Sequence, residues 1–576
     1  MKELLALEAE YQRTLEEAET KLRKLSKLRL GIFSLLVLLW MIPSLGHTIK
    51  IAGTLGLMLL FIVLVRRSGR EQELIKSMKG RLSVIGDYRS REDDSWLERE
   101  DGSLYGDHSA LVNDLDLVGR GSLFQYISSA RTLGGKEKLL EDLLQGIVAE
   151  RQKERRSSIR ELFKNLPLVI EFEEKLDRIK GVSSIRASHY LDDLVMKRDF
   201  KRWDLLVSIS LSVLFIGTLI LFALGLLPGI LPVVLFIIQL YSGMLYERFY
   251  AYELGQINSA LRGLGELQGV MELINESEFK EPSLQTMQQR IREASSIRKN
   301  LSRLSLLESF RRSLVSHLLL NTFVSWNRLL VLFYKKLVEK DKPKLVDALL
   351  VIEELEVLLS LGTINLLKEH WCEPVSSKEL FLEVLGLYQP VVKESNCVPN
   401  DIRSGKEVNI ITGSNMSGKT FFMKSIALNL LLHYAGGFVN ADVFKVPELR
   451  IFTSINVQDD ITEGISTFYA ELLRVKDMLE YDRGPFIAFI DEIFKGTNYE
   501  DRLLGAKSVI RSLQKRKAIV FITTHDRELS YLEGVVNYHF EEQYTDGLMD
   551  FDHSIRKGTT STTNATELMR GLGILD

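Results

Sequence analysis

The segment 413–420 contains the residue types and the spacing of a phosphate-binding loop. It reads Gly-Ser-Asn-Met-Ser-Gly-Lys-Thr, which fits the pattern G-x-x-x-x-G-K-[ST]. Backbone N–H groups of such a glycine-rich turn surround a polyphosphate, and the lysine and hydroxyl side chains complete the site. We expect Lys419 to reach the β- and γ-phosphates and to act in catalysis, and Thr420 to hold Mg²⁺. The predicted nucleotide contacts are Gly413, Ser414, Asn415, Met416, Ser417, Gly418, Lys419, Thr420 and Phe421.

The residues on either side of this loop predict the elements that position it. Residues 408–412 form a short run with β-branched side chains, which favours a strand, and residues 421–434 favour a buried helix. A strand, a glycine-rich turn and a helix N-terminus in this order direct the helix dipole toward bound phosphate. The eight-residue pattern alone could occur by chance. With these flanking elements it predicts the binding of ATP and Mg²⁺.

Two further strands are predicted to end beside the loop. The run 486–490 is followed by Asp491 and Glu492, and the run 518–523 is followed by a Thr-His pair that ends in His525. Because the carboxyl ends of parallel strands meet at one edge, we expect Asp491 to bind Mg²⁺ through water and Glu492 to polarise the attacking water. His525 would sense the γ-phosphate. The alternatives are an acidic loop after a core strand and a surface histidine.

Several segments resemble motifs of the MutS-type DNA mismatch-repair ATPases. The three strand ends follow the order found in ATPases of the ABC type, but the transporter signature L-S-G-G-Q is missing at the equivalent position. Segment 459–471 instead resembles D-D-x-x-x-G-x-S-T-F-x-x-E of the MutS family. Segments 398–401, 437–441, 491–497 and 524–525 are similar to the V-P-N-D, G-x-F-V-P-A, D-E-I-G-R-G-T and T-H motifs of the same family.

The resemblance implies an α/β P-loop NTPase fold of the ABC type, the MutS C-terminal domain, for residues 376–576. An all-α helical core and lever domain would precede it, with its first part in residues 111–204 and its second part in residues 247–375. By the same resemblance, Ser466 reaches the γ-phosphate of a partner chain, and Asn415 contacts the nucleotide phosphates. A homodimer would therefore form two complete sites.

Other parts of the family pattern have no counterpart in this sequence. We expect no mismatch-reading domain before residue 110, no clamp domain of usual size between the helical parts, and no dimerisation module after the ATPase motifs. The aromatic residue that stacks on adenine in the family aligns near Cys397. The resemblance implies double-stranded DNA as a partner, but the residues that would read a mismatch are missing.

Four apolar stretches predict membrane insertion. No charged residue occurs between positions 205 and 246, whereas a bilayer core requires roughly 17–25 apolar residues per helix. The alternative is one buried core of a globular protein, which so long an uncharged run makes the weaker interpretation. The four stretches are 30–46, 48–65, 205–227 and 230–245, and we predict that they form two transmembrane hairpins, 30–66 and 205–246.

Positive charge flanks both predicted hairpins, while the turns within them carry almost none. The flanking basic residues are Lys24, Lys27, Arg29, Arg66, Arg67, Arg70, Lys197, Arg198, Lys201, Arg202 and Arg248. By the positive-inside rule, the N-terminus and the ATPase domain face the cytoplasm. The sequence therefore predicts a multi-pass membrane protein with four transmembrane helices in the lipid bilayer.

The remaining segments add smaller predictions. Residues 1–29 have apolar side chains at helical spacing, which predicts an amphipathic helix, and the charged residues 67–110 predict a linker. A net charge of −3 argues against a globally basic nucleic-acid-binding protein. Cys372 and Cys397 lack the spacing of metal ligands and imply no disulfide framework.

Basic residues are concentrated in two predicted helices. They are Arg151, Lys153, Arg155, Arg156 and Arg160 in one, and Arg290, Arg292, Arg298, Lys299 and Arg303 in the other. Such clusters could bind DNA phosphates without sequence preference, form a solvated helix face, or contact anionic lipid. No aromatic residues alternate with them, so stacking on exposed bases is not predicted.

From the sequence we predict a membrane-anchored, MutS-like ATPase whose helical arms move with ATP binding and hydrolysis, linked to DNA in mismatch repair or recombination. Two alternatives come from other classes. One is an ATP-driven membrane transport or remodelling machine, and the other is a scaffold in which ATP only switches conformation. The predicted spans contain no carboxylate or arginine of the kind that lines a transport path, which argues against a transporter.

Overall fold

A computed structural model describes residues 2–42, 46–105, 109–178, 202–294, 296–312, 314–414, 416–456, 467–495, 498–545 and 548–559. The chain forms two compact units. The sheet unit comprises residues 1–129, 139–167 and 358–576, and the helical unit comprises residues 130–138 and 168–357. Residues 139–167, predicted as part of the helical core, therefore belong with the sheets.

Helices form most of the chain before residue 370, and the strands lie after it. The α-helices are α1 (Lys2–Met41), α2 (His47–Arg89), α3 (Ala110–Asp114), α4 (Leu123–Ile127), α5 (Leu133–Gln145), α6 (Ala149–Phe163), α7 (Leu166–Asp177), α8 (Arg202–Ala223), α9 (Ile230–Phe249), α10 (Ala251–Glu276), α11 (Pro282–Ala294), α12 (Ser296–Arg312), α13 (Leu314–Val324), α14 (Trp326–Leu361), α15 (Thr363–Leu367), α16 (Lys419–Tyr434), α17 (Thr467–Glu480), α18 (Tyr499–Gln514) and α19 (Arg527–Ser530). The strands are β1 (Val375–Ser376), β2 (Leu382–Leu387), β3 (Asn400–Ser404), β4 (Val408–Thr412), β5 (Val443–Val446), β6 (Arg450–Ser454), β7 (Phe486–Asp491), β8 (Ala518–Thr523), β9 (Val535–Thr545) and β10 (Leu548–Lys557).

The larger sheet places the three predicted strands side by side. Its strand order is β10-β9-β4-β8-β7-β6, and all neighbours are parallel except the antiparallel pair β9 and β10. β4, β8 and nearly all of β7 are buried, as expected for strands that read as continuous apolar runs and are covered on both faces. The carboxyl ends of these three strands therefore meet at one edge.

One face of this sheet packs against α17 and α18. The buried residues of this core are contributed by the strands at Val408, Ile410, Phe486, Ala488, Ile490, Ala518, Val520 and Ile522, and by the helices at Val475, Met478, Ala506, Val509, Ile510 and Leu513. A fully buried aliphatic or aromatic side chain contributes about 1.5–3 kcal/mol. This core fixes the strand ends that carry the predicted site.

A smaller sheet has the strand order β1-β5-β2-β3. β2 is antiparallel to both of its neighbours, and β1 is parallel to β5. It leads directly into β4, because β3 ends at Ser404 and β4 begins at Val408.

α1 and α2 pack side by side in opposite directions. Arg89 pairs with Glu8 at 3.0 Å and Lys79 pairs with Glu19 at 3.1 Å. The linker predicted over residues 67–110 is therefore helical up to Arg89, because one side of this stretch is buried. We call the charged half of this helix pair the stalk. The helix predicted over residues 1–29 is the first part of α1, which continues to Met41.

Two helices of the described residues are long and apolar enough to cross a membrane, by length and composition alone. They are α2 from Thr48 onward and α9. Of the other two predicted spans, α1 ends at Met41, and the described apolar stretch of α8 is Ile209–Ala223. Within the part of the chain that the structure describes, two helices therefore qualify as candidate spans, where the sequence predicted four.

Candidate nucleotide-binding site

The predicted phosphate-binding loop leaves the carboxyl end of β4 and enters α16 at Lys419. Gly413 and Gly418 have φ values of 147° and 109°, which L side chains rarely adopt. A Cβ added at Gly418 would also lie 3.3 Å from Nδ1 of His553 on β10. The two glycines are therefore required by the backbone path of the loop, and Gly418 also by the strand beside it.

Lys419 is the first residue of α16, and its side chain folds over the loop. Its Nζ donates to the carbonyl oxygens of Gly413 at 2.8 Å and Ser414 at 2.6 Å, and the residue is only 6% exposed. Ser417 Oγ donates to the same Ser414 carbonyl at 2.9 Å. The ammonium group thus lies on the loop that would surround a polyphosphate. At the tip of the loop, Met416 is exposed.

Thr420 and Asp491 come together from α16 and β7. Oγ1 of Thr420 lies 3.1 and 3.0 Å from the two carboxylate oxygens of Asp491. Thr523, which faces Asp491 in the register of β7 and β8, donates its hydroxyl to the same carboxylate. Hydroxyl and carboxylate oxygens are the ligands that Mg²⁺ prefers. The residues predicted to hold magnesium therefore fit that ion.

Glu492 and His525 form the second polar pair of the site. His525 Nε2 lies 2.9 Å from Oε1 of Glu492, and Lys495 Nζ lies 3.7 Å from the other oxygen of that carboxylate. The hydrogen bond from His525 lowers the pKa of Glu492 to about 2, helped by the nearby charges of Lys495, His525 and Lys419 and opposed by burial. Glu492 is therefore ionised at neutral pH.

The backbone of Glu492 is strained. Its φ of 54° lies in the left-handed region, which is uncommon for residues other than glycine. Its N–H donates to the carbonyl oxygen of Thr523 at 3.1 Å, which helps to hold this conformation. Strain of this kind is concentrated at functional sites, where the surrounding structure fixes it. Here it occurs at the first residue after β7, within the candidate site.

Phe421, in the first turn of α16, is partly exposed, so it lies close to the loop as predicted without being part of the core. Asn415 and Ser466, predicted to contact phosphate, lie outside the described residues. The same holds for most of the segment 459–471, whose resemblance to the family motif rests on sequence alone. The action of Ser466 across a dimer stays a prediction.

The region that contains the candidate site is similar to a known protein family. Residues 409–570 match the family model of MutS domain V. The C-terminal region is homologous to MutS. The predicted resemblance is therefore confirmed for this part of the chain, which folds as an α/β domain of the P-loop ATPase type.

Several proteins named as DNA mismatch repair proteins are similar to this chain. The chain is 32% identical over 234 residues to the DNA mismatch repair protein MutS of Natronomonas pharaonis, covering 39% of this chain and 27% of that protein. It is 28% identical over 247 residues to MutS of Aquifex pyrophilus, covering 41% and 29% respectively. It is 32% identical over 203 residues to MutS 2 of Halobacterium salinarum, covering 34% and 24%. The chain thus spans about a quarter of the length of the curated relatives it matches.

One residue that sequence reasoning missed fixes the MutS-type domain beside its nucleotide edge. Asp114, at the end of α3, is completely buried. Its carboxylate accepts hydrogen bonds from the N–H groups of Ile455 and Asn456 at 2.9 and 3.1 Å, and from Arg474 at 2.8 Å. It therefore connects the end of β6 with α17. No local pattern in the sequence identifies it, because all three partners lie far along the chain.

Several basic residues of α6 are engaged within the MutS-bearing unit. Arg155 donates to Asp142 and to the carbonyl oxygen at the C-terminal end of α16, both within 2.8 Å. Arg156 is buried beside His433, and Arg160 pairs with Glu373. In the helical unit, Arg290 likewise pairs with Asp347. The arginines of α6 form intramolecular contacts that stabilise the fold, which weakens the interpretation of α6 as a DNA-binding face.

Burial explains why the His433 side chain beside Arg156 is uncharged. Burial, together with the charge of the neighbouring guanidinium, lowers the pKa of His433 to about 3, so the imidazole is neutral. A neutral ring can lie against Arg156 without charge repulsion.

Proposed function

We propose that this chain is a membrane-anchored, MutS-like ATPase that binds and hydrolyses ATP at composite sites of a homodimer. The observation that carries the proposal is the convergence of Lys419, Thr420, Asp491, Glu492 and His525 at one edge of the sheet. They belong to a phosphate loop and two strand ends of a MutS-type domain V. Energy from the nucleotide cycle would drive movement of the helical arms.

Each residue has a separate proposed role. Lys419 exchanges its bonds to the loop carbonyls for the β- and γ-phosphates. Thr420 and Asp491 hold Mg²⁺, which when bound supplies positive charge to neutralise the phosphates. Glu492, whose carboxylate is ionised, accepts a hydrogen bond from the attacking water and polarises it. His525 orients that carboxylate and contacts the γ-phosphate, and Ser466 of the partner subunit completes the site.

The membrane anchor is proposed from the apolar surface of two helix pairs. Each candidate span packs against another helix that contains an apolar stretch, α2 against α1 and α9 against α8. Many large apolar side chains on these helices are exposed, among them Leu35, Leu59, Ile220 and Ile237. Contiguous apolar surface of this extent marks a membrane or protein contact. Because basic residues flank each pair in the sequence and the turns within the pairs carry almost none, we propose two inserted hairpins with the N-terminus and the ATPase domain in the cytoplasm.

Double-stranded DNA is proposed as the partner because the matched relatives are named as DNA mismatch repair proteins. Mismatch reading itself is not part of the proposal. The pairing of Arg155, Arg156 and Arg160 within the chain favours a DNA contact elsewhere than on α6.

The test is the ATPase rate of the full chain in detergent, with Glu492→Gln as the inactive reference. The rate is measured without nucleic acid and with homoduplex, mismatched and branched DNA, at two salt concentrations. We expect stimulation by DNA that weakens at higher salt. A Glu492-dependent rate that no DNA changes would redirect the proposal to a membrane or protein client. Turnover that does not depend on Glu492 would overturn the assigned catalytic site.

A further inference from the structure

The helical unit contains a broken helix beside the middle of the α8–α9 pair. α13 ends at Val324, Ser325 adopts a left-handed φ of 53°, and α14 begins at Trp326. Ser325 Oγ lies 3.1 Å from Nε2 of Gln239 and 3.3 Å from Oγ of Ser212. Ser212 and Gln239 lie near the midpoints of α8 and α9, so the break is level with the centre of both helices.

The residues just before the break reach beyond this polar cluster. The ring of Phe323 packs 5.4 Å from that of Phe215, and Phe215 packs 6.1 Å from Phe236. Phe215 follows Ser212 on α8 and Phe236 precedes Gln239 on α9, so both lie toward the turn that joins the two helices. The apex of the broken helix therefore lies just past the centre of the pair.

Residues farther from the break lie on the opposite side of the cluster. A Cβ added at Gly243 would be 3.8 Å from Cβ of Asn321, which lies on α13. Arg328, in the first turn of α14, donates to Ser242 at 3.0 Å and lies 4.5 Å from the ring centre of Tyr246. Ser242, Gly243 and Tyr246 all lie toward the C-terminal end of α9. The chain thus approaches from that end, turns, and returns to it.

Charge marks the two ends of this path. Arg311 precedes α13 and pairs with Glu247, at the C-terminal end of α9, at 3.5 Å. Lys335 and Lys336 follow the returning part. Between positions 314 and 334 the sequence has one charged residue, Arg328. The 11 residues of α13 span about 16 Å, roughly half the thickness of a bilayer core.

We propose that residues 314–334 form a re-entrant helical loop that enters the bilayer from the cytoplasmic side, turns at Ser325 near the midplane, and returns to the same side. The inference rests on the proposed membrane insertion of α8 and α9. Because Ser325 packs against the midpoints of α8 and α9, it lies at the same membrane depth as those midpoints. Leu319 and Val324 are 53% and 43% exposed and provide contacts for lipid chains.

The turn meets the requirement that membrane interiors place on irregular backbone. Such backbone occurs at membrane depth only where protein covers it and satisfies its polar groups. Ser325 is buried, and its N–H donates to the carbonyl oxygen of Asn321 at 3.2 Å. The side-chain oxygen of Asn321 accepts from the N–H of Asn327 at 2.9 Å. A residue four positions before Ser325 and one two positions after it are thus joined across the turn.

Arg328 is placed where a buried cation can be tolerated. Charged side chains inside a membrane are costly unless they are paired or reach toward the interface. The guanidinium lies over the ring of Tyr246 and bonds to Ser242, both on the cytoplasmic side of the cluster under this proposal. An aromatic face and a hydroxyl partner offset part of that cost.

Depth measurements test the proposal on the full chain reconstituted in vesicles. Cys372 and Cys397 are replaced by serine, and single cysteines at Leu319 and Val324 carry nitroxide labels. Ile237→Cys on α9 is the lipid reference, and Glu278→Cys between α10 and α11 is the aqueous reference. We expect L319C and V324C to match Ile237→Cys, accessible to oxygen and shielded from a water-soluble nickel complex, with V324C the deeper of the two.

The outcomes separate this inference from the proposed anchor. If Ile237→Cys reports lipid while L319C and V324C match the aqueous reference, the re-entrant loop is wrong and the anchor stands. If Ile237→Cys reports water, the anchor itself is wrong. A membrane-impermeant maleimide should also label Glu278→Cys and Lys344→Cys from the same face. Labelling from opposite faces would overturn the loop in favour of a complete span.

Discussion

The edge of the larger sheet and the centre of the α8–α9 pair both gather polar side chains among apolar ones, but with different chemistry. At the sheet edge, three of the four polar residues are ionisable, and they form two pairs, Thr420 with Asp491 and His525 with Glu492. In the helical unit, the cluster of Ser212, Gln239 and Ser325 is neutral and buried. Charged groups at an open edge can exchange partners for a ligand, whereas neutral buried groups fix helices against each other.

The largest effect that would sharpen this comparison is expected at Glu492. Glu492→Gln keeps the size of the side chain but removes the carboxylate that polarises the attacking water, so turnover should fall by about 10²–10⁴-fold while ATP affinity stays the same. Steady-state ATPase rates and equilibrium nucleotide binding check the two halves of this expectation.

The matched control is Glu500→Gln, which alters an exposed carboxylate in the first turn of α18. It should change neither quantity. Equal loss of turnover in both variants would mean that the loss comes from removing one negative charge near the sheet edge, and not from the position of Glu492.

A buried carboxylate that serves only structure should behave differently. Asp114→Asn leaves Arg474, which is partly exposed, without its anionic partner, and should lower the free energy of unfolding by about 1.5–3 kcal/mol, the range for hydrogen bonds to charged groups. Asp116→Asn is the control, because Asp116 pairs with Lys424 but is 61% exposed in its side chain. It should cost less than about 1 kcal/mol. Thermal unfolding in detergent measures both, and similar losses would remove the assigned role of Asp114.

The backbone of the phosphate loop gives a smaller and more local effect. Gly418→Ala should cost about 1–3 kcal/mol and weaken ATP binding, because the residue has a φ of 109° and its Cβ would meet His553. Gly558 has a φ of 108° with no atom near an added Cβ. Gly558→Ala therefore measures the cost of the conformation alone. Equal stability losses would show that the contact with His553 adds nothing.

The smallest effect is expected in the neutral cluster. Gln239→Leu removes the bonds to Ser212 and Ser325 and should lower the free energy of unfolding by about 0.6–1.7 kcal/mol, the range found for polar contacts between membrane helices. Gln289→Leu, at an exposed position on α11, is the control. Turnover should be the same in both. A loss of ATPase activity confined to Gln239→Leu would break the comparison, because the cluster would then affect the chemistry.

The nucleotide site could be predicted because its residues are grouped in short motifs at the ends of apolar strands. Lys419 and His525 follow β4 and β8, Asp491 ends β7, and their approach in space follows from the parallel pairing of these strands. The Thr523 hydroxyl was missed because its partner, Asp491, is set by strand register and not by spacing along one element.

Other features could not be read from local patterns. Asp114 contacts residues more than three hundred positions away, and nothing near it in the sequence predicts that. The sequence predicts a linker over residues 67–110 because charged side chains cover most of residues 67–89. This stretch is helical, and its other side is buried against α1. The sequence does not single out α13, which we propose enters the membrane, because it is short and because Ser325 and Arg328 interrupt the apolar run.

The stalk has a consequence for what the protein can hold near a membrane. From Arg66 to Arg89 the second helix extends about 35 Å, and just beyond it Arg91 donates to the carbonyl oxygen of Tyr126 at 2.5 Å. With the apolar half in the bilayer, as proposed, that distance is several times the screening length of about 8 Å at physiological ionic strength. A polyanion held at the far end of the stalk would feel almost none of the negative potential of the lipid headgroups. The helix pair would then act as an electrostatic spacer as well as an anchor.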